Sequence, residues 1–138
     1  MKKVFLSLLV SFVISASISF AQAPPEPAEA YAYHKIERNY LKGLKSDNPD
    51  LKLSCAYFLG EMKSDRALIP LMGMFHDSKN VGVKLIAAWS LLKIGDARGV
   101  NLVKRAVELN ECGSGAGCML RYLYMDYCLQ TNGSIDKS

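Results

Sequence analysis

The sequence predicts an all-helical domain, arranged as a short α-solenoid of antiparallel helix pairs with a capping helix at each end. Apolar residues recur at spacings of three and four through most of the chain beyond residue 28, as on one face of a helix. Residues 46–71 also match residues 78–103 without a gap, which is a period of 32 residues. Repeats near this length are typical of solenoids, in which a helix pair buries its apolar face by stacking on the next pair.

The N-terminal residues have the order of a secretory signal peptide. The basic start Met1-Lys2-Lys3 precedes an apolar, serine-containing run over residues 4–20, and small residues then lead into Pro24-Pro25-Glu26-Pro27. The run falls short of the roughly 20 apolar residues that a membrane span needs, so we prefer cleavage to the alternative of an uncleaved anchor. We expect a periplasmic or secreted protein with no stable membrane insertion after cleavage.

Two peptide bonds are candidates for the cleavage. The pattern Ala21-Gln22-Ala23 favours a cut after Ala23, but Pro24 would then follow the broken bond, and its fixed φ and missing N–H fit an extended protease cleft poorly. A cut after Ala21 avoids that conflict, and we expect it. The chain is accordingly divided into a signal peptide (1–21), a proline-rich linker (22–28), a helical repeat domain (29–130) and a flexible polar tail (131–138).

Charge indicates which partners to expect, and length indicates the number of domains. Loss of Lys2 and Lys3 lowers the basic count from 17 to 15 against 13 acidic residues, and no basic block or stripe remains. A nucleic-acid partner is therefore not expected. The processed length suits one domain with one core.

The domain is expected to begin with a capping helix. Its apolar face has spacings of three or four residues and consists of Tyr33, Ile36, Tyr40 and Leu44. Residues 46–49 then break this helix, with Asn48 as the N-cap of the next helix and Pro49 in its first turn.

Two helix pairs follow in the repeated segment. The first helices are predicted over about residues 49–62 and 81–94, and the second helices over about residues 66–75 and 98–110. The small pairs Cys55-Ala56 and Ala87-Ala88 allow neighbouring helices to approach closely. Identical residues 32 apart are Ser46 and Ser78, Asn48 and Asn80, Lys52 and Lys84, Leu53 and Leu85, Ala56 and Ala88, Leu59 and Leu91, and Arg66 and Arg98.

A last helix is expected over residues 118–129. Leu123 lies another 32 residues beyond Leu91, so this helix would be the first helix of a third, incomplete unit. Atypical ends of this kind cap repeat arrays.

The stretch Leu91-Leu92-Lys93-Ile94-Gly95-Asp96-Ala97-Arg98-Gly99-Val100 resembles the signature of HEAT repeats. The resemblance is strongest to the short subtype found in phycobilisome lyases, in which a pattern close to A-L-x-x-I-G-D-x-R-A-V recurs. Residues 59–71 match it less fully, with Lys63 where glycine is usual and the acid displaced to Asp65. The resemblance covers residues 44–110 and implies a HEAT-like fold, but it says little about activity.

The resemblance also suggests where a partner would bind. HEAT-like arrays commonly receive partners along the ridge of their second helices, although an ordinary solvated face is an equal alternative for each residue. The turn acid and nearby arginine of such arrays often form a hydrogen-bonded ladder between units, so we expect Asp96 and Arg98 to be structural rather than ligand contacts. In the repeat frame the ridge consists of Ile69, Met72, Gly73 and His76 beside Asn101, Lys104, Arg105 and Glu108.

Four cysteines in an exported chain suggest disulfides. Cys112 and Cys118 bracket a glycine-rich segment that we expect to turn back and bring the two sulfurs together. Cys55 with Cys128 would then form the second bridge, with a buried free thiol at Cys55 as the alternative.

No motif in the sequence indicates catalysis, a metal or a cofactor. The two histidines, His34 and His76, have no recognisable nucleophile beside them, and no Cys-x-x-Cys, zinc or phosphate-loop spacing occurs. We therefore expect a non-enzymatic module that binds a protein or peptide. The alternatives are a bilin-lyase-like enzyme, suggested by the shared repeat subtype, and a redox-responsive binder whose Cys112–Cys118 bridge orders the last helix.

Overall fold

A computed structural model describes residues 27–110 and 113–135 of the chain. The predicted signal peptide and cleavage site, most of the linker and Cys112 lie outside these residues. Of a first unit, Met1–Ala30, only the start of one helix is described, and the second unit spans Tyr31–Ser138. The described residues contain helices and no strand, which confirms the all-α class.

Six α-helices and one 3₁₀ turn make up the described part of the chain. Helix α6 is much longer than predicted, because it begins at Gly113, inside the segment that was expected to turn back, and ends at Ile135, inside the predicted tail. No helix in the described ranges has both the length and the hydropathy of a membrane span. The elements are α1 (Pro27–Gly43), α2 (Pro49–Glu61), the 3₁₀ turn (Asp65–Ala67), α3 (Leu68–Asp77), α4 (Val81–Ile94), α5 (Ala97–Glu108) and α6 (Gly113–Ile135).

The starts of α2 and α4 have the same local structure. The Asn48 side chain accepts hydrogen bonds from the first turn of α2, and Asn80 does so for α4. Two residues earlier, the hydroxyls of Ser46 and Ser78 each accept from the cap backbone N–H at 3.1 Å. These bonds satisfy backbone N–H groups that a helix start leaves unpaired. The predicted cap at Asn48 is therefore confirmed.

Helix α4 is the centre of the domain. It contacts α2, α3, α5 and α6, and Ala87, Ala88 and Leu91 are completely buried in it. At its crossing with α2, a Cβ on Gly60 would lie 2.9 Å from Ser90 Cα, and the Ser90 hydroxyl donates to the Ala56 carbonyl at 2.8 Å. Small residues thus bring two backbones together, as expected, although the contact uses Gly60 and Ser90 as well as the alanines.

Helix α1, which was predicted to be a capping helix, packs with a face rotated from the predicted one. Leu44 is buried and Tyr40 packs against the core, but Tyr33 and Ile36 are exposed. Glu37 takes their place at the buried surface. The burial of Glu37 is favourable because Ser64 and Arg66, in the turn between α2 and α3, donate hydrogen bonds to its carboxylate.

Candidate functional site

An open groove of about 700 Å³ lies between the end of α1, the start of α2, helix α3 and the start of α4. Its apolar lining includes Leu41 at the end of α1, Leu44 just after that helix, and Ile69, Pro70 and Met74 from α3. Ile69 is 63% exposed, so this side chain presents most of its surface to solvent. A concave surface with exposed apolar side chains is the usual form of a binding site.

The rim of the groove is charged. Lys45, Lys52 and Lys79 line it together with Asp47 and Asp77, so lysines outnumber acids. These charges come from the loop before α2, the first turns of α2 and the end of α3 with the loop that follows. The rim therefore favours a ligand with net negative charge around an apolar centre.

The predicted ridge is divided by the structure. Ile69 and Gly73 line the groove, whereas Met72 packs against the core. His76 is exposed and its ring lies 2.9 Å from the carboxylate of Asp77. The α5 part is exposed and lies outside the groove; it consists of Asn101, Lys104, Arg105 and Glu108. Helices α3 and α5 do contact each other, but the concave surface forms on the α1 side of α3.

Gly73 has no atom within 4 Å of the position that a Cβ would occupy. This glycine lies within α3, where glycine is less favourable than alanine. A side chain added here would project into open space at the groove. The position therefore offers a way to fill the groove without a clash in the chain.

Asp96 and Arg98 pair with each other inside one turn. The Asp96 carboxylate accepts from the backbone N–H of Arg98 at 2.8 Å and from its guanidinium at 3.0 and 3.2 Å. The hydrogen bonds from Arg98 lower the pKa of Asp96. The prediction was a ladder between units; in the described part of the chain the pair caps α5 and makes no hydrogen bond to another unit.

Arg66, the counterpart of Arg98, does form a side-chain hydrogen bond with another helix. Its guanidinium donates to the buried Glu37 carboxylate of α1 at 3.2 Å, and the Ser64 hydroxyl donates to the other oxygen at 2.5 Å. Burial alone would raise the pKa of Glu37, but the bonds from Ser64, Arg66 and His34 together outweigh it and lower that pKa. This cluster was not predicted from the sequence, where its one signal was an acidic residue between apolar positions of α1.

A row of aromatic rings on α1, α2 and α4 was also missed. Tyr40 stacks on Phe58 with ring centroids 5.1 Å apart, and Tyr57 stacks on Trp89 at 4.9 Å. Lys93 lies over the Trp89 ring at 5.3 Å. Tyr57 and Trp89 are 32 residues apart, so the repeat alignment was the signal that could have paired them.

The structure corrects the second predicted disulfide. Cys55, Cys118 and Cys128 are free. Cys55 is buried against the end of α1, where a Cβ on Gly43 would lie 2.3 Å from its sulfur, and burial raises the pKa of the thiol. Cys128 lies on α6, which packs on α4 and α5. The predicted Cys55–Cys128 bridge is therefore absent, and Cys55 is a buried free thiol, which was the alternative. Cys118 is exposed, and its predicted partner Cys112 lies outside the described residues.

Comparisons with known proteins add no assignment to this geometry. Across residues 27–110 and 113–135, no group of three or more His, Cys, Asp or Glu side chains is placed to hold a metal ion. A scan against protein-family models finds no match to the chain, and a search of curated proteins finds no significant relative. The groove with its lysine-rich rim is therefore characterised by its own residues alone.

Proposed function

We propose that this protein is a non-catalytic binding module that holds a peptide segment of a partner protein in the groove. The observation that carries the proposal is an open apolar concavity with more lysines than acids at its rim, on a scaffold of packed helices. The partner segment would place apolar side chains against Ile69, Pro70 and Met74 and acidic groups near Lys45, Lys52 and Lys79. Apolar contact would supply most of the affinity, and the charges would select the partner.

We also propose that the helices form a short HEAT-like solenoid in a periplasmic or secreted protein. Several features recur at the 32-residue period and support this arrangement: the Asn48 and Asn80 caps, the completely buried Leu59 and Leu91, and the stacked rings of Tyr57 and Trp89. The signal-like N-terminus supports the location. Mass spectrometry of the protein from the periplasm or medium would test this second part, with a mass that begins at Gln22 as the expected result.

The binding proposal is tested by filling the groove. Peptides selected from a displayed random library on the processed protein would be measured by fluorescence anisotropy against Gly73→Leu and Gly73→Ala variants. We expect Gly73→Leu to weaken binding by about tenfold or more, because the added side chain occupies the groove, while Gly73→Ala binds as the parent does. Both variants should fold, because neither Cβ meets another atom.

Charge variants separate the groove from the α5 ridge. Lys52→Ala and Lys79→Ala should weaken peptide binding and reduce its dependence on salt. Lys104→Ala and Arg105→Ala are matched removals of exposed positive charge outside the groove and should have no effect. Peptides that bind Gly73→Leu as well as the parent, but lose affinity with the α5 variants, would contradict the groove proposal.

A further inference from the structure

Helix α6 has two different faces. Its inner face packs on the domain through the completely buried Leu120 and the partly buried Leu123, Tyr124 and Tyr127. Its outer face is apolar and exposed: Tyr122 is 67%, Met125 57% and Leu129 71% accessible to solvent. A helix that is apolar on both sides, in a domain that covers only one, indicates a second contact surface.

The spacing of the outer face is that of a two-stranded coiled coil. Tyr122 and Leu129 are seven residues apart, and Cys118 and Met125 form a second series with the same period, offset by three or four residues. With Tyr122 at heptad position a, Leu129 is also a, while Cys118 and Met125 are both d. The residues at a and d point away from the domain, so a partner helix could pack along this stretch. We refer to Cys118, Tyr122, Met125 and Leu129 as the outer seam.

The charges beside the outer seam select a second copy of the chain in parallel orientation. Arg121 is at position g and Asp126 is at the following position e, both are exposed, and they lie on opposite flanks of the outer seam. In a parallel pair, g of one helix faces the next e of its partner, so two ion pairs between Arg121 and Asp126 would form. In an antiparallel pair, g faces g and e faces e, and neither Arg121 nor Asp126 would gain an oppositely charged partner from the second copy.

We propose that the outer seam binds the outer seam of a second copy of this chain, which makes the protein a parallel homodimer through α6. Leu120 and its neighbours hold each α6 on its own domain, so the helix is already formed before the copies meet and little ordering cost is added. The seam is short, which places the contact among weak interfaces whose dimer fraction depends on protein concentration. The dimer does not depend on the groove and leaves it accessible to its own partner.

The test is a charge exchange, measured by sedimentation equilibrium on the processed protein from micromolar to millimolar concentrations. Arg121→Glu alone and Asp126→Arg alone should each weaken dimerisation by about tenfold, because each replaces two attractions by two repulsions. The double variant should restore the parent affinity. Met125→Asp should abolish the dimer, and Tyr31→Asp, which changes an exposed aromatic residue on α1 outside the groove, should leave it unchanged.

The cysteine in the outer seam reports the orientation. In a parallel pair the two Cys118 side chains face each other at position d, so oxidation of a Cys112→Ser variant with copper phenanthroline should give a disulfide-linked dimer. The same treatment of Cys112→Ser with Met125→Asp should leave monomers. The proposal would be overturned by a protein that is monomeric at every concentration, or by a dimer that Met125→Asp does not affect. It would also be overturned by a dimer that is not restored in the double variant and does not crosslink at Cys118. So would binding of a monomeric protein to phosphatidylglycerol vesicles that Tyr122→Asp abolishes, since the seam would then face lipid.

Discussion

At the scale of single residues, Lys63 and Gly95 occupy the same position in the two units and differ in how well they tolerate it. Both follow a first helix and both have positive φ, 50° for Lys63 and 77° for Gly95. A glycine is unstrained there, whereas a side chain brings Cβ close to the following carbonyl oxygen. The left-handed turn is therefore kept even where the residue type opposes it.

Lys63→Gly should consequently stabilise the protein by about 0.5 to 1 kcal/mol, which is the strain relieved less the greater freedom of glycine in the unfolded chain. Gly95→Ala should destabilise it by a similar amount, about 1 kcal/mol. Urea denaturation monitored by circular dichroism measures both. Equal and opposite shifts are expected, and a loss of stability in Lys63→Gly would contradict the account of this turn.

Predictions for single residues succeed where the structure at that residue depends on its neighbours along the chain. The Asn48 cap depends on N–H groups two and three residues away, so the local pattern was sufficient. The burial of Glu37 depends on Ser64 and Arg66, which are 27 and 29 residues away. No local pattern specifies those partners, and a carboxylate on a helix is ordinarily exposed.

At the scale of helices, the crossing of α2 and α4 depends on the absence of a side chain at Gly60. Gly60→Ala would place a methyl group 2.9 Å from Ser90 Cα, which is backbone and cannot move aside alone. The expected loss is about 1 to 2 kcal/mol, because overpacking exceeds the gain in helix propensity. The control is Gly73→Ala, which adds the same methyl in open space and should gain up to about 1 kcal/mol. Unfolding midpoints that move in the same direction for both would contradict this difference.

The extent of the helices shows where helix prediction fails. Helix α4 was predicted as residues 81–94 and is observed as Val81–Ile94, since an Asn cap and a Gly stop delimit it. Helix α6 contains four glycines, three of them in its first five residues, and propensity alone would place that first stretch in a loop. Packing of its later turns on α4 and α5 stabilises the helix, and such tertiary contacts leave no local trace in the sequence.

At the scale of the whole molecule, the Glu37 cluster joins α1 to the turn between α2 and α3. The pKa of Glu37 is lower in the folded protein than in the unfolded chain, so its contribution is complete above the unfolded value, about 4.3, and is lost as pH falls through the folded value. Protonation would remove the charge that Arg66 and Ser64 stabilise. Acid should therefore release α1 first.

Glu37→Gln should lower the free energy of unfolding at pH 7 by about 1 to 3 kcal/mol, since it removes a charged hydrogen-bond acceptor from a buried position. It should also flatten the decline in stability of the parent protein between about pH 5 and pH 3. Urea midpoints measured across this range provide the test, with Glu29→Gln in the same helix as an exposed control. If the midpoints of Glu37→Gln fall with acid as steeply as those of the parent, the loss of stability is caused by other carboxylates.

The fold class was predictable and the groove was only partly so. Helical periodicity and the 32-residue repeat are properties of the sequence itself, and the all-helical structure confirms the class. Ile69 and Gly73 were expected at a binding surface and line the groove, but Lys45 and Lys79 come from loops on either side of a helix pair. Whether such loops enclose a concave surface depends on how the helices pack.

The stack of Tyr57 on Trp89 provides an optical probe, because Trp89 is the only tryptophan in the chain. Its emission reports the contact between α2 and α4 and no other part of the molecule. Separation of those two helices would expose the indole to water and shift its fluorescence to longer wavelength before the helical signal at 222 nm is lost. The effects of denaturants, ligands and acid on the contact between α2 and α4 can therefore be ranked without attaching a dye.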